Sequence, residues 1–141
     1  MTAKEYLSQA YRLDQRIRSN LEEVASLRET ASSISSPNWG ERVEASRSIE
    51  PPFVRCILKI SELEEIINRE IETLVALKKQ IRTVIEAVPD TDEQMVLRYR
   101  YIHNCTWEQI GTELNADRTT VYRWHNSAVG HVVLPENPIR I

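Results

Sequence analysis

Along residues 2–34, apolar side chains recur in alternating steps of three and four, at Tyr6, Leu7, Ala10, Leu13, Ile17, Leu21, Val24, Leu27, Ala31 and Ile34. That spacing lines one face of an α-helix. Arg12, Arg16, Glu22, Glu23 and Glu29 fall mostly off the stripe, and no proline or glycine interrupts it. Thr2, with Glu5 three residues later, carries the signature of a capping box. A stricter pattern follows from Phe53 to Val88. Phe53, Ile60, Ile67, Leu74, Ile81 and Val88 are spaced by seven, with Ile57, Leu63, Ile71, Leu77, Val84 and Ile85 between them. This predicts a second helix of coiled-coil character, about 54 Å long at ~1.5 Å per residue. Residues 33–52, with their serines, Pro37, Gly40, Pro51 and Pro52, predict the connection between the two, and Trp39 is read as folding back onto the helices. A fold-back into an antiparallel pair is the economical arrangement. The apolar residues of the second helix cover about half of its circumference, more than the ~100° that one partner needs. Residues 1–88 are therefore expected to self-associate, as a homodimer or a higher homo-oligomer.

Past Pro89 the pattern changes to three shorter helices, each legible from its cap. Asp90 or Thr91 opens the first, which runs through Ile102 and stops near Asn104, a residue that tolerates left-handed backbone angles. Thr106 and Gln109 make a capping box for the second, whose apolar face holds Trp107, Ile110 and Leu114. Asn115-Ala116-Asp117 form a turn, and Asp117 caps the third helix, from Arg118 to about Val133. Glu136 to Ile141 read as a loose tail. The fold class is thus all-α. A long antiparallel helical hairpin (residues 1–88, loop 33–52) is followed by a three-helix helix-turn-helix domain (89–134) and a tail (135–141).

Composition narrows the function. The chain has 141 residues, 41% of them hydrophobic and 28% charged, which suits one domain or a small domain attached to an elongated helical element. No segment approaches 18 uninterrupted apolar residues, so a membrane span is not expected, and the charged N-terminal sequence lacks a signal-peptide core. A cytoplasmic protein is the expectation, with Cys56 and Cys105 as two buried free thiols. His103, His125 and His131 lack ligand spacing, and no glycine-rich phosphate loop, metal motif or nucleophile–base pair is present. No catalysis, metal, cofactor or small-molecule substrate is expected.

Two short helices joined by a three-residue turn fit a DNA-reading unit. The third helix is expected to bury Val121, Trp124 or His125, Ala128 and Val132. That leaves Arg118, Thr119, Thr120, Tyr122, Arg123 and Asn126 outward or near its N-terminal end. Arg123 can pair with guanine through two hydrogen bonds, Asn126 with adenine, and Thr119 or Thr120 can meet a thymine methyl or a phosphate. Thr106 and the free amides beside it can hold a phosphate. Arg98 and Arg100 divide evenly between phosphate contacts and a solvated helix face. Trp107, Trp124 and Tyr101 read as core aromatics, Tyr99 as open, and His125 as a packed histidine with a satisfied nitrogen. The 18 Lys and Arg against 21 Asp and Glu give a net charge of −3, which excludes a strong basic field. Residues 118–134 nevertheless hold Arg118 and Arg123 and no acid.

Val96-Leu97-Arg98-Tyr99-Arg100-Tyr101-Ile102-His103-Asn104-Cys105-Thr106-Trp107-Glu108-Gln109-Ile110-Gly111 resembles the promoter-reading C-terminal domain of bacterial sigma factors. Arg118-Thr119-Thr120-Val121-Tyr122-Arg123 resembles their recognition helix. Gly111 stands where alanine is usual, Asn104 where glycine is, and Asp117 where a serine cap is; Gly111 is expected to loosen the helix pair slightly. Over its full length the chain is similar to small phage and prophage proteins of Gram-positive bacteria with a sigma-like C-terminus. The resemblance implies sequence-specific binding to double-stranded DNA by a transcription regulator of the late-gene type, with contact to RNA polymerase as a further implication. Two alternatives stand beside it. One is a small-terminase-like DNA-packaging protein. The other is a coiled-coil adaptor that binds RNA polymerase or another protein without binding DNA.

Overall fold

The computed structural model describes residues 1–34 and 51–141, and the described residues are helical with no strand among them. The expectations for the connecting loop and Trp39 lie outside the described residues. The helices are α1 (Ala3–Ile34), α2 (Pro52–Glu86), α3 (Thr91–Leu97), α4 (Trp107–Leu114) and α5 (Arg118–His131). The predicted cap of α1 is present: the Thr2 amide donates to Glu5 Oε2 at 2.9 Å, and the Glu5 amide to Thr2 Oγ1 at 3.2 Å. These residues form two compact units, Gln15–Ile71 and Met1–Asp14 with Glu72–Ile141.

In the unit Gln15–Ile71, the later part of α1 runs antiparallel to the first part of α2. Arg16 pairs with Glu70 at 2.8 Å, Asn20 donates to the same carboxylate at 2.7 Å, and Arg28 meets Glu64 at 3.1 Å. Ile17, Val24, Ala31, Ile60, Leu63 and Ile67 form the buried seam. Five members of the predicted stripes depart from it: Leu21, Ile34, Phe53, Ile57 and Ile71 are exposed. Two helices share a single line of contact, so side chains flanking it have nothing within the pair to cover them.

The other unit is built differently. The first turns of α1 and the last turns of α2 bury Tyr6, Leu7, Ala10, Leu77, Ile81, Ile85 and Val88, and the same core takes in Leu97, Tyr101 and Ala128 from the following helices. Tyr6 donates to Gln80 Oε1 at 2.7 Å, and burial pushes its phenol up to about 12. A second cluster of Val96, Ile110 and Val121 closes α3, α4 and α5 against one another.

Residues 136–141, expected to be loose, are docked. Gln80 Nε2 donates to Asn137 O at 3.0 Å while its Oε1 accepts the Ile139 amide at 3.0 Å. Gln9 repeats the pattern one step on, donating to Ile139 O at 2.8 Å and accepting the Ile141 amide at 3.1 Å. Each carboxamide satisfies one backbone donor and one acceptor, which is what an isolated extended segment otherwise lacks. Leu134 and Ile139 pack against the core. α5 accordingly ends at His131 rather than near Val133. Val132 turns extended, with φ −74° and ψ 131°, sending Leu134 inward and leaving Val133 exposed.

Candidate nucleic-acid interface

The candidate surface is built on three caps. Asp90 accepts the Asp92 amide at the start of α3. Thr106 and Gln109 form the reciprocal box at α4, at 3.2 and 2.8 Å. Asp117 accepts the Thr120 amide at 2.7 Å at the start of α5. Hydrogen bonds from the Thr120 hydroxyl and amide hold the Asp117 carboxyl below the usual carboxylate range. Asn104 and Asn115 both take left-handed angles, φ 56° and 51°, which asparagine tolerates better than other non-glycine residues.

Gly111 corrects the expectation of a loosened helix pair. It is buried, and a Cβ built there would lie 2.7 Å from the Ala116 carbonyl oxygen. The Ala116 amide donates back to Gly111 O at 3.0 Å. In this chain the missing side chain is what lets the Asn115–Asp117 turn close directly onto α4.

α3 does not continue as a regular α-helix to Ile102. Residues Arg98–Ile102 form a π-turn, with the His103 amide donating to Arg98 O at 3.1 Å. The wider turn changes what its side chains meet. Tyr101 is buried and its hydroxyl lies 2.6 Å from His125 Nε2. Burial pushes His125 down to about 4 and pushes Tyr101 up to about 12. The ring is therefore neutral near pH 7, and one hydrogen bond joins its Nε2 to the phenol. His125 Nδ1 is buried without a hydrogen-bond partner, so only one of its nitrogens is satisfied.

Arg100 is neither a solvated arginine nor an uncommitted one. Its Nη1 donates to Cys105 O at 3.0 Å, and its guanidinium lies 4.2 Å from the Trp107 ring centre. Arg98 is half-buried. Trp107 and Trp124 are half-buried rather than fully enclosed, and Trp107 also meets Tyr122 at 5.0 Å and His125 at 4.8 Å between ring centres. Tyr99 is half-buried against the Val96 cluster. Cys56 and Cys105 are free thiols, and both are partly exposed rather than buried.

α5 sorts its residues by face. Val121, His125 and Ala128 are buried, so His125 rather than Trp124 takes the inner position, and Val132 follows half-buried. Arg118, Thr119, Tyr122, Arg123 and Asn126 come together around one shallow, outward-facing concavity. Thr120 does not join them; it is half-buried and turned back to Asp117. Thr106 is exposed at the start of α4, apart from that concavity. Arg118 carries an exposed ion pair with Glu108 at 3.4 Å, a feature that helix spacing alone does not reveal.

Glu93 was legible in the sequence only as an acid near a helix start. It is buried, with His131 Nδ1 donating to it at 2.6 Å and the Ser127 hydroxyl 3.5 Å away, and so ties α3 to α5. Its partners lie 34 and 38 residues downstream, beyond the reach of any local pattern.

Among the described residues, no helix is long and apolar enough to cross a membrane, and no group of three or more His, Cys, Asp or Glu is placed to hold a metal ion. Neither the curated proteins nor the solved structures contain a match to the chain. The family model DUF1492, described as a protein of unknown function, matches residues 33–132, from the end of α1 through α5. That match spans well over half of the sequence, and the chain belongs to the DUF1492 family.

Proposed function

We propose that this protein is a sequence-specific DNA-binding regulator of transcription, of the phage or prophage late-gene type, reading double-stranded DNA with α5. The observation that carries the reading is the division of that helix. Arg118, Thr119, Tyr122, Arg123 and Asn126 share an open face, while Val121, His125 and Ala128 anchor the opposite one. A second helix docked across a three-residue turn is the arrangement that places such a face in a major groove. Arg123 then reads guanine, Asn126 reads adenine, and Thr106 at the start of α4 meets the backbone. The sigma-like sequence of residues 96–111 extends the reading to contact with RNA polymerase.

Association of two copies belongs to the same reading. Val54, Ile57, Leu58 and Ile66 of α2 are exposed, along with Leu21 and Ile34 of α1. Pairing these faces would bring two modules onto one site and raise avidity where the net charge of −3 gives little electrostatic help. A second reading, an adaptor that does not bind DNA, is favoured by the Arg118–Glu108 pair, which sets an acid beside the reading face.

Gel-shift titration against genomic fragments selected by the protein separates the two. Arg123→Ala is expected to weaken specific binding by about 1–3 kcal/mol and relax the preference at one base. Unchanged affinity in that variant would remove α5 as the reading helix.

A further inference from the structure

Away from the α5 face, a recess of about 370 Å³ lies between α1 and the turn that precedes α4. Tyr11 and Arg12 line it from α1; Arg100, Asn104 and Thr106 line it from the other side. We propose that this recess is a phosphate-ester site, in which Arg12 and Arg100 hold one phosphate group between them. For its nucleic-acid source the proposal rests on the DNA-binding reading above; for a free ester it does not.

Several features support it. The lining holds two guanidinium groups and no acid, in a chain whose net charge is −3. Two cations that line one recess are better tolerated once an anion joins them, and planar guanidinium donors match phosphate oxygens. Arg100 is already oriented by Cys105 O and the Trp107 ring, whereas Arg12 has no hydrogen bond or ion pair among the described residues. A fixed donor and a free one are what capture of a mobile anion requires.

Thr106 stands at the same edge, its hydroxyl oxygen accepting the Gln109 amide while the hydroxyl keeps its own proton to donate. Tyr11, half exposed on the rim, offers an aromatic face to a base or sugar attached to the phosphate. The volume suits one nucleotide-sized group.

The test uses the full chain and Arg12→Gln, with Arg82→Gln as a control of equal charge change on an exposed position of α2 outside the recess. In the first arm, binding to a selected duplex and to a random duplex is measured across a salt series. Arg12→Gln is expected to weaken both about threefold to tenfold and to lower the log–log salt slope by about 1 relative to Arg82→Gln. In the second arm, AMP and inorganic phosphate are titrated while the melting temperature is followed. A rise in the wild type that Arg12→Gln abolishes identifies a free phosphate ester as the ligand. If Arg12→Gln matches Arg82→Gln in both arms, the site is overturned. Arg123→Ala in the first arm keeps the two ideas apart. Loss of specific binding there, with Arg12→Gln silent in both arms, leaves the DNA reading standing and removes this site. An Arg12-dependent AMP shift without DNA binding does the reverse.

Discussion

Ile57 and Ile81 lie on the same helix and belong to the same apolar stripe, yet Ile81 has no accessible surface and Ile57 is 45% exposed. The difference follows the two units. Around Ile81, α1, α2 and the later helices supply neighbours on several sides, joined by polar ties such as Tyr6–Gln80 and Glu93–His131. Around Ile57 a pair of helices offers one seam, held at its flanks by exposed ions such as Arg28–Glu64, a type of contact worth little in water. Periodicity reports which face is apolar. It does not report whether the chain itself supplies a cover.

The sharpest way to break this comparison is to cut into each unit in turn. Ile81→Ala should cost about 2–5 kcal/mol in chemical unfolding, at any protein concentration. Leu58→Glu, placed on the exposed part of α2, should leave the dilute chain near its original stability. It should also abolish the concentration dependence of the melting temperature that an associating wild type shows. A wild-type melting temperature that stays constant over a hundredfold dilution would mean that the Gln15–Ile71 pair needs no cover.

Smaller effects test the polar interior of the other unit. Tyr101→Phe leaves His125 Nε2 buried without its hydrogen-bond partner, and a loss of about 1–3 kcal/mol is expected in urea unfolding. A loss below that range would mean that water reaches the ring. The same histidine sets a pH dependence. Its folded value of about 4 lies below the ordinary 6.5, so the unfolded chain binds more protons between those limits. Its contribution is complete above pH 6.5 and is lost as pH falls toward 4. His125→Phe should flatten the part of the melting-temperature profile that lies in this window. An unchanged profile would assign acid sensitivity to other groups.

Much of this architecture was legible because it is local. Thr2–Glu5, Thr106–Gln109 and Asp117 declare helix starts within four residues, and Asn104 declares a stop. The outward and inward faces of α5 follow from 3.6-residue spacing, including every residue now gathered at its concavity. What sequence could not give is non-local. Nothing near Pro135 or Pro138 signals that Gln9 and Gln80 will satisfy the backbone of Asn137, Ile139 and Ile141. The π-turn at Arg98–Ile102 shifts side chains by a fraction of a turn, which redirects Arg100 to Trp107 without leaving a compositional mark. Arg12 falls off the α1 stripe in sequence, and only the fold sets it in the same recess as Arg100.

The Gln9 ladder also ties residues from far-separated parts of the sequence. Its hydrogen bond to Ile139 joins residues 130 apart, so Gln9 cannot meet these partners until residues 139–141 have been synthesised. Helical pairing between α1 and α2 can begin earlier, on contacts of shorter reach, but closing so large a loop is slow. Tyr6 and Leu7 can thus be covered by Leu77, Ile81 and Ile85 before the Gln9 hydrogen bonds close.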